Sequence, residues 1–283
     1  MSLFSTSYGN ESALYAAIFF AILPVHAEVI SWIAASKILG CTLFSLVALI
    51  SFGKNLEKSS VFRNLSTVGS LVAAFGFKEQ AIMVPPILVL LAAMYQKKGL
   101  SMALAKHGYL LILSVMGLYW SYLGSLGLAH VFPKKLASGI IHTFCMPLHC
   151  LYLYVQHAFI PYNLSIRYSS PSFQECMFSL VLTLMLVIFF KRSWRIIAVN
   201  QGVVFGLGFF LISIFCFLNI MPLPRPSVAA DRYLYFSSVG LTFVTVPIFQ
   251  FLLKRRWGYA LLIIYISIMM VNTFERCLTW SFV

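Results

Sequence analysis

Charged residues are scarce in this sequence. Asp, Glu, Lys and Arg together make up 10% of 283 residues, where a soluble chain carries about 25%. Acids are the scarcer kind, seven against 20 Lys and Arg. Hydrophobic residues reach 61%, aromatics 16%, and the mean hydropathy is +0.92. These figures exclude an ordinary soluble enzyme, a disordered tail and a small secreted disulfide scaffold. Among the six cysteines there is no CxxC pair, and most sit in or beside apolar runs, so they are read as small buried hydrophobes. The sequence has no Walker loop, no GxGxxG after a strand, no GxSxG and no HExxH. No basic residue precedes Lys37, so the first residues are not expected to be a cleaved signal.

What is present is a series of apolar runs, at 12–23, 38–52, 65–77, 81–95, 108–129, 173–190, 196–220, 233–253 and 259–271. At about 20 residues per crossing, this is the pattern of a polytopic, all-α membrane protein built as one domain over 1–283. Several early runs are short and need neighbouring helices or a thinned bilayer. The stretch 136–159 differs in kind. Lys135, His142, His149 and Gln156 fall on one heptad-spaced stripe with Ser138 beside it, which predicts an amphipathic helix lying in the interface, kinked at Pro147.

The net charge of +13 would suggest a polyanion partner in a soluble domain. Here it reports orientation instead, and no nucleic-acid partner is expected. With 136–159 not crossing, twelve of the 20 basic residues fall in four loops on one side: Lys54/Lys58/Arg63, Lys97/Lys98/Lys106, Lys191/Arg192/Arg195 and Lys254/Arg255/Arg256. The positive-inside rule then predicts nine crossings with the N-terminus cytoplasmic and the C-terminus outside.

Three polar islands share the expected outer side. They are Pro24-Val25-His26-Ala27-Glu28 followed by Trp32 and Lys37, then Lys78-Glu79-Gln80, then Asp231-Arg232-Tyr233-Leu234-Tyr235. Polar groups at membrane depth mark sites or paths. The blander alternatives are a helix end capped near His26 and Glu28, a local Lys78–Glu79 ion pair, and Asp231 as an N-cap with Arg232 reaching to headgroups. His142, Cys145 and His149 have metal-ligand spacing, although the polar face of an interfacial helix is the favoured explanation. Sequons occur at Asn10, Asn64 and Asn163.

At these islands the chain resembles a family. Leu23-Pro24-Val25-His26-Ala27-Glu28-Val29-Ile30-Ser31-Trp32-Ile33-Ala34 resembles the "HPVHTEAVAWIA" signature of multispanning glycosyltransferases that carry tetratricopeptide repeats, the transmembrane-and-tetratricopeptide O-mannosyltransferases and their bacterial relatives. Phe77-Lys78-Glu79-Gln80-Ala81-Ile82 is similar to their "SKEQAI". The segment from Ala230 to Gly240 is similar to "ADRYLYLPSIG", and Pro161 through Tyr168 to a "P-x-x-L-S-x-x-Y" loop.

The resemblance implies a GT-C-like bundle of about nine spans plus one interfacial helix, in a bacterial inner membrane or the endoplasmic reticulum. It implies transfer of a hexose, mannose in the family, from a polyprenyl-phosphate-linked sugar to a protein acceptor at the extracytoplasmic face. Lys78, Glu79, Asp231, Arg232 and Tyr233 are then expected to bind the carrier, with His26 and Glu28 as candidate catalytic residues lining the same site. The family's catalytic acidic loop and its repeat module are not matched here. The chain is therefore expected to be a partial copy, inactive alone, with a divalent metal only where that loop is supplied. Ser36 and Ile38 also replace the Arg and Asp of the family's "GRKDLL". The competing readings are a non-catalytic scaffold that keeps carrier binding, and a lipid or solute transporter.

Overall fold

The structure is a computed structural model that describes residues 10–96, 99–128, 140–161, 164–165, 168–220 and 227–281. Lys97, Lys98, Lys135, Ser138, Asn163 and residues 221–226 fall outside these residues, as do the side chains of His142 and Arg195. All regular structure among the described residues is helical. The long elements are α1 (Asn10–Ala21), α3 (Ser36–Glu57), α4 (Val61–Phe77), α5 (Val84–Gln96), α7 (Tyr109–Leu128), α8 (Ile140–Phe159), α9 (Phe173–Val199), α10 (Gln201–Ile214), α11 (Leu234–Leu253) and α12 (Arg256–Ser281). The shorter α2 (Ala27–Ser31) and α6 (Gly99–His107) lie between them.

Four helical stretches are long and apolar enough to cross a bilayer: Ile33–Glu57, Phe173–Ser193, Asp231–Leu253 and Arg256–Trp280. Two bent pairs raise the number to six: Glu11–Ala21 with Pro24–Ser31, bent by 58°, and Leu100–His107 with Tyr109–Gly124, bent by 74°. Val61–Phe77, Glu79–Tyr95 and Gln201–Phe217 are apolar but shorter. The sequence expectation of nine thus exceeds the four to six that length and apolarity support. The outer surface fits a lipid solvent. Along α9, Phe178, Val181, Leu184, Met185, Val187, Ile188 and Phe189 are all exposed, a patch far beyond what a soluble monomer tolerates.

Caps and small residues set the local geometry. The Asn200 side chain accepts hydrogen bonds from the backbone N–H of Gly202 and Val203 and so starts α10. Ser172 and Glu175 form a reciprocal capping box at the start of α9. Helices α10 and α11 meet at Gly206 and Gly240. A methyl at either position would lie 2.5–2.6 Å from the other's carbonyl oxygen, so backbone packs directly on backbone.

On the α8 stripe, His149 is buried, with Nδ1 2.9 Å from Ser179 Oγ, so this member of the stripe meets the neighbouring helix α9. Asp231 sits at one end of α11 and Lys254–Arg256 at the other, about 30 Å apart for 20 residues.

Candidate functional site

The three sequence islands converge. Each lies at a break between helices, where a short 3-10 turn ends one apolar run and begins the next: Pro24–His26, Glu79–Met83 and Asp231–Tyr233. The residue ahead of each turn is extended, Leu23 at φ −69°, ψ 118°, Lys78 at φ −160°, ψ 145° and Ala230 at φ −156°, ψ 138°. At each break a charged side chain is buried: Glu28, Lys78 and Asp231.

Glu28, on α2, is 1% exposed. Its Oε1 accepts from Arg232 Nη1 at 2.6 Å and its Oε2 from the Arg232 backbone N–H at 3.0 Å. Arg232 therefore does not reach to headgroups. Its guanidinium lies 5.4 Å from the Trp32 ring and 5.1 Å from the Tyr233 ring. Trp32 stacks in turn on Trp280 of α12.

Asp231, the only aspartate in the sequence, is also 1% exposed. Its Oδ2 accepts from Arg276 Nη2 at 3.0 Å. Its Oδ1 accepts from the Tyr168 hydroxyl at 2.8 Å and lies 3.3 Å from His157 Nδ1. Asp231 makes no side-chain cap, because Ala230 holds the N-cap position. Burial and the neighbouring Asp231 carboxylate push the Tyr168 phenol above its ordinary pKa, which keeps it a donor.

Lys78 is 7% exposed and has no carboxylate within 4.0 Å among the described residues. Its Nζ lies 5.4 Å from the Tyr233 ring, which it shares with Arg232. Phe217 backs that ring in a parallel stack at 4.1 Å. Burial lowers the Lys78 pKa to about 8; exposed Glu79 partly offsets this, and Arg232 and Lys37 add to the lowering. The local ion pair considered for Lys78 and Glu79 is not formed. Two residues on, Gln80 is 2% exposed, and both ends of its amide lack a protein partner, at a cost of about 1–3 kcal/mol per buried group.

His26 sits apart from this cluster chemically. Its Nε2 lies 2.9 Å from Ser238 Oγ, and its ring packs between Phe20 and Tyr235. No hydrogen bond joins it to Glu28 among the described residues, so the two candidate catalytic groups do not form an acid–base pair.

Sequence reasoning did not single out Arg276 or His157, and Tyr168 entered only through its loop's resemblance. The one signal for His157 is its place beside Gln156 of the polar stripe. A divalent ion does not fit the two buried acids, Glu28 and Asp231. Glu28 has both oxygens occupied by Arg232, and Asp231 has both occupied by Arg276, Tyr168 and His157. Among the described residues no three His, Cys, Asp or Glu are grouped to hold a metal. No family model, curated protein or solved structure matches the chain.

Proposed function

We propose that this chain is the membrane core of a GT-C-like glycosyltransferase and binds a polyprenyl-phosphate-linked sugar at the outer ends of its helices. One observation carries the reading: Lys78 is buried, lacks a carboxylate and shares the Tyr233 ring with a second cation, Arg232. Two cations on one ring, only one of them neutralised, are a poor arrangement for stability and a good one for a phosphate. The unpartnered Gln80 amide adds donors and acceptors beside Lys78. The exposed apolar faces around the bundle suit a carrier whose chain stays in lipid while its phosphate reaches the cluster.

Nine crossings with a cytoplasmic N-terminus and an external C-terminus belong to the same proposal. The four long spans, the two bent pairs and the three shorter apolar helices supply nine segments, and the basic loops then share the side away from Asp231. Reporter fusions at 191–195 and 254–256 check this; either loop outside contradicts it.

A second reading, a carrier-binding protein without transfer, draws on Glu28, whose carboxylate is fully engaged by Arg232 and so is no free base. Protein in nanodiscs, given a polyprenyl-phospho-hexose and a threonine-containing peptide, separates the two. Binding with transfer supports the enzyme, binding without transfer supports the second reading, and no binding defeats both. Lys78→Met should weaken donor binding by about 1.5 to 3 kcal/mol, the range for a lost charged hydrogen bond.

A further inference from the structure

Asp231 and Arg232 are consecutive, yet their side chains serve different places. Arg232 reaches Glu28, Trp32 and Tyr233. Asp231 turns to α8 and the loop before α9, where it meets His157 and Tyr168. Those two residues also line a cavity of about 490 Å³ between the C-terminal half of α8 and the first turns of α9. Polar groups face it from several sides, among them His149, Gln156, Gln174 and Glu175. The aromatic rings of Tyr152 and Phe178, edge to face, form another part of the wall. Hydrogen-bonding groups, one of them the Glu175 carboxylate, beside aromatic rings suit a ligand that carries hydroxyl groups.

The histidine is oriented for work on such a ligand. Tyr168 donates to Asp231 Oδ1, the shorter of its two contacts, so it is not the donor to His157 Nδ1, 3.4 Å away. A lone pair on Nδ1 would face a carboxylate oxygen 3.3 Å away, which is repulsive, whereas an N–H there is attractive. Nδ1 therefore carries the proton and Nε2 the lone pair. With Nδ1 held by Asp231, Nε2 is the nitrogen left for a ligand.

We propose that this cavity is the acceptor subsite, and that His157, oriented by Asp231, takes the proton from the acceptor hydroxyl. This rests on the donor reading above. The acceptor oxygen forms a bond to the anomeric carbon of the sugar as its proton passes to Nε2. The bond from that carbon to the phosphate oxygen breaks, its electron pair leaving with the carrier phosphate, and the imidazolium returns the proton to solvent. His157 is the catalytic residue, and Asp231 is a positioning residue. The Asp231–Tyr233 turn then separates two duties, acceptor activation on one side and carrier phosphate on the other.

The test uses the full chain in nanodiscs. Selective ¹⁵N labelling of histidine, with His157 assigned by its loss in His157→Gln, should show the Nδ1–H tautomer at neutral pH. His157→Ala should lower kcat for transfer to the threonine-containing peptide by about 10²–10⁴-fold. Donor binding should be unchanged, and added imidazole should restore part of the rate. The Nε2–H tautomer, or full activity in His157→Ala, overturns the assignment. Wild-type protein that binds donor but transfers nothing also overturns it and leaves the donor reading standing. Wild-type protein that binds no donor overturns both.

Discussion

The two buried carboxylates invite comparison, because each meets an arginine and yet they are built for different ends. Glu28 gives both oxygens to one residue, the Arg232 side chain and its backbone N–H. Asp231 gives one oxygen to Arg276 and shares the other between Tyr168 and His157. The first arrangement is a clamp that fixes α2 against the Asp231–Tyr233 turn. The second is a junction, which fixes three elements and also orients an imidazole beside a cavity. A fully saturated carboxylate holds structure; one that shares an oxygen with a histidine can also set where a proton sits.

Breaking the clamp should have the largest effect. Glu28→Ala leaves the partly buried Arg232 charge unpaired, and should cost up to about 3–5 kcal/mol, seen as a large fall in the detergent-solubilised melting temperature. Adding Arg232→Met should recover much of that loss, because removing both partners avoids the stranded charge. A fall that the second change does not relieve would show that the pair is not the clamp.

Gly240→Val should act on both carboxylates together, since α11 follows directly from the turn that carries Asp231 and Arg232. The added side chain starts 2.6 Å from the Gly206 carbonyl oxygen and 2.7 Å from the Phe210 backbone nitrogen. Overpacking of this kind costs about 1–3 kcal/mol, and donor binding and the His157 tautomer should be disturbed at once. A variant that disturbs only one would argue against a shared support.

Tyr168→Phe sharpens the junction. It removes one of the two donors on Asp231 Oδ1 and should cost about 1 kcal/mol while leaving the Glu28–Arg232 clamp, and so carrier binding, untouched. Carrier binding that falls as far as stability would merge the two regions into one.

The pH dependence set by Lys78 is the most gradual effect. Its pKa is lowered to about 8, so its charge is present below that value and lost as pH rises through it. Affinity for a carrier phosphate should therefore decline above pH 8 in wild type and stay flatter in Lys78→Met, because Arg232 remains charged. Bound phosphate holds the proton and moves the decline upward. Equal pH profiles would remove Lys78 from the site.

Much of this was legible in the sequence, and the misses have physical causes. Apolar runs gave the helices, because burial in lipid demands them, and the three polar islands marked the site, because polar groups at membrane depth need partners. Span number was harder. A run of 13 to 17 residues does not say whether it crosses, and the bends of 58° and 74° come from breaks whose angle no composition encodes. The pairing of Glu28 with Arg232 joins residues 204 apart in sequence, and periodicity carries no information on such a contact. Arg276 was hidden because a basic residue near a helix end has a ready explanation in headgroups. The contact of His149 with Ser179 was equally out of reach, since a polar residue at helical spacing looks the same whether it meets water or a serine on the next helix.

The most direct measurement of the central claim is the preference for phosphate over alcohol in carrier binding. Polyprenyl phosphate and the matching polyprenol are titrated into nanodisc-held wild type and Lys78→Met at pH 7, with the apolar chain held constant. Wild type should bind the phosphate at least about tenfold more tightly, equivalent to ~1.4 kcal/mol, and Lys78→Met should lose most of that preference while binding the alcohol as before. Equal binding of phosphate and alcohol by wild type, or an undiminished preference in Lys78→Met, would contradict the claim.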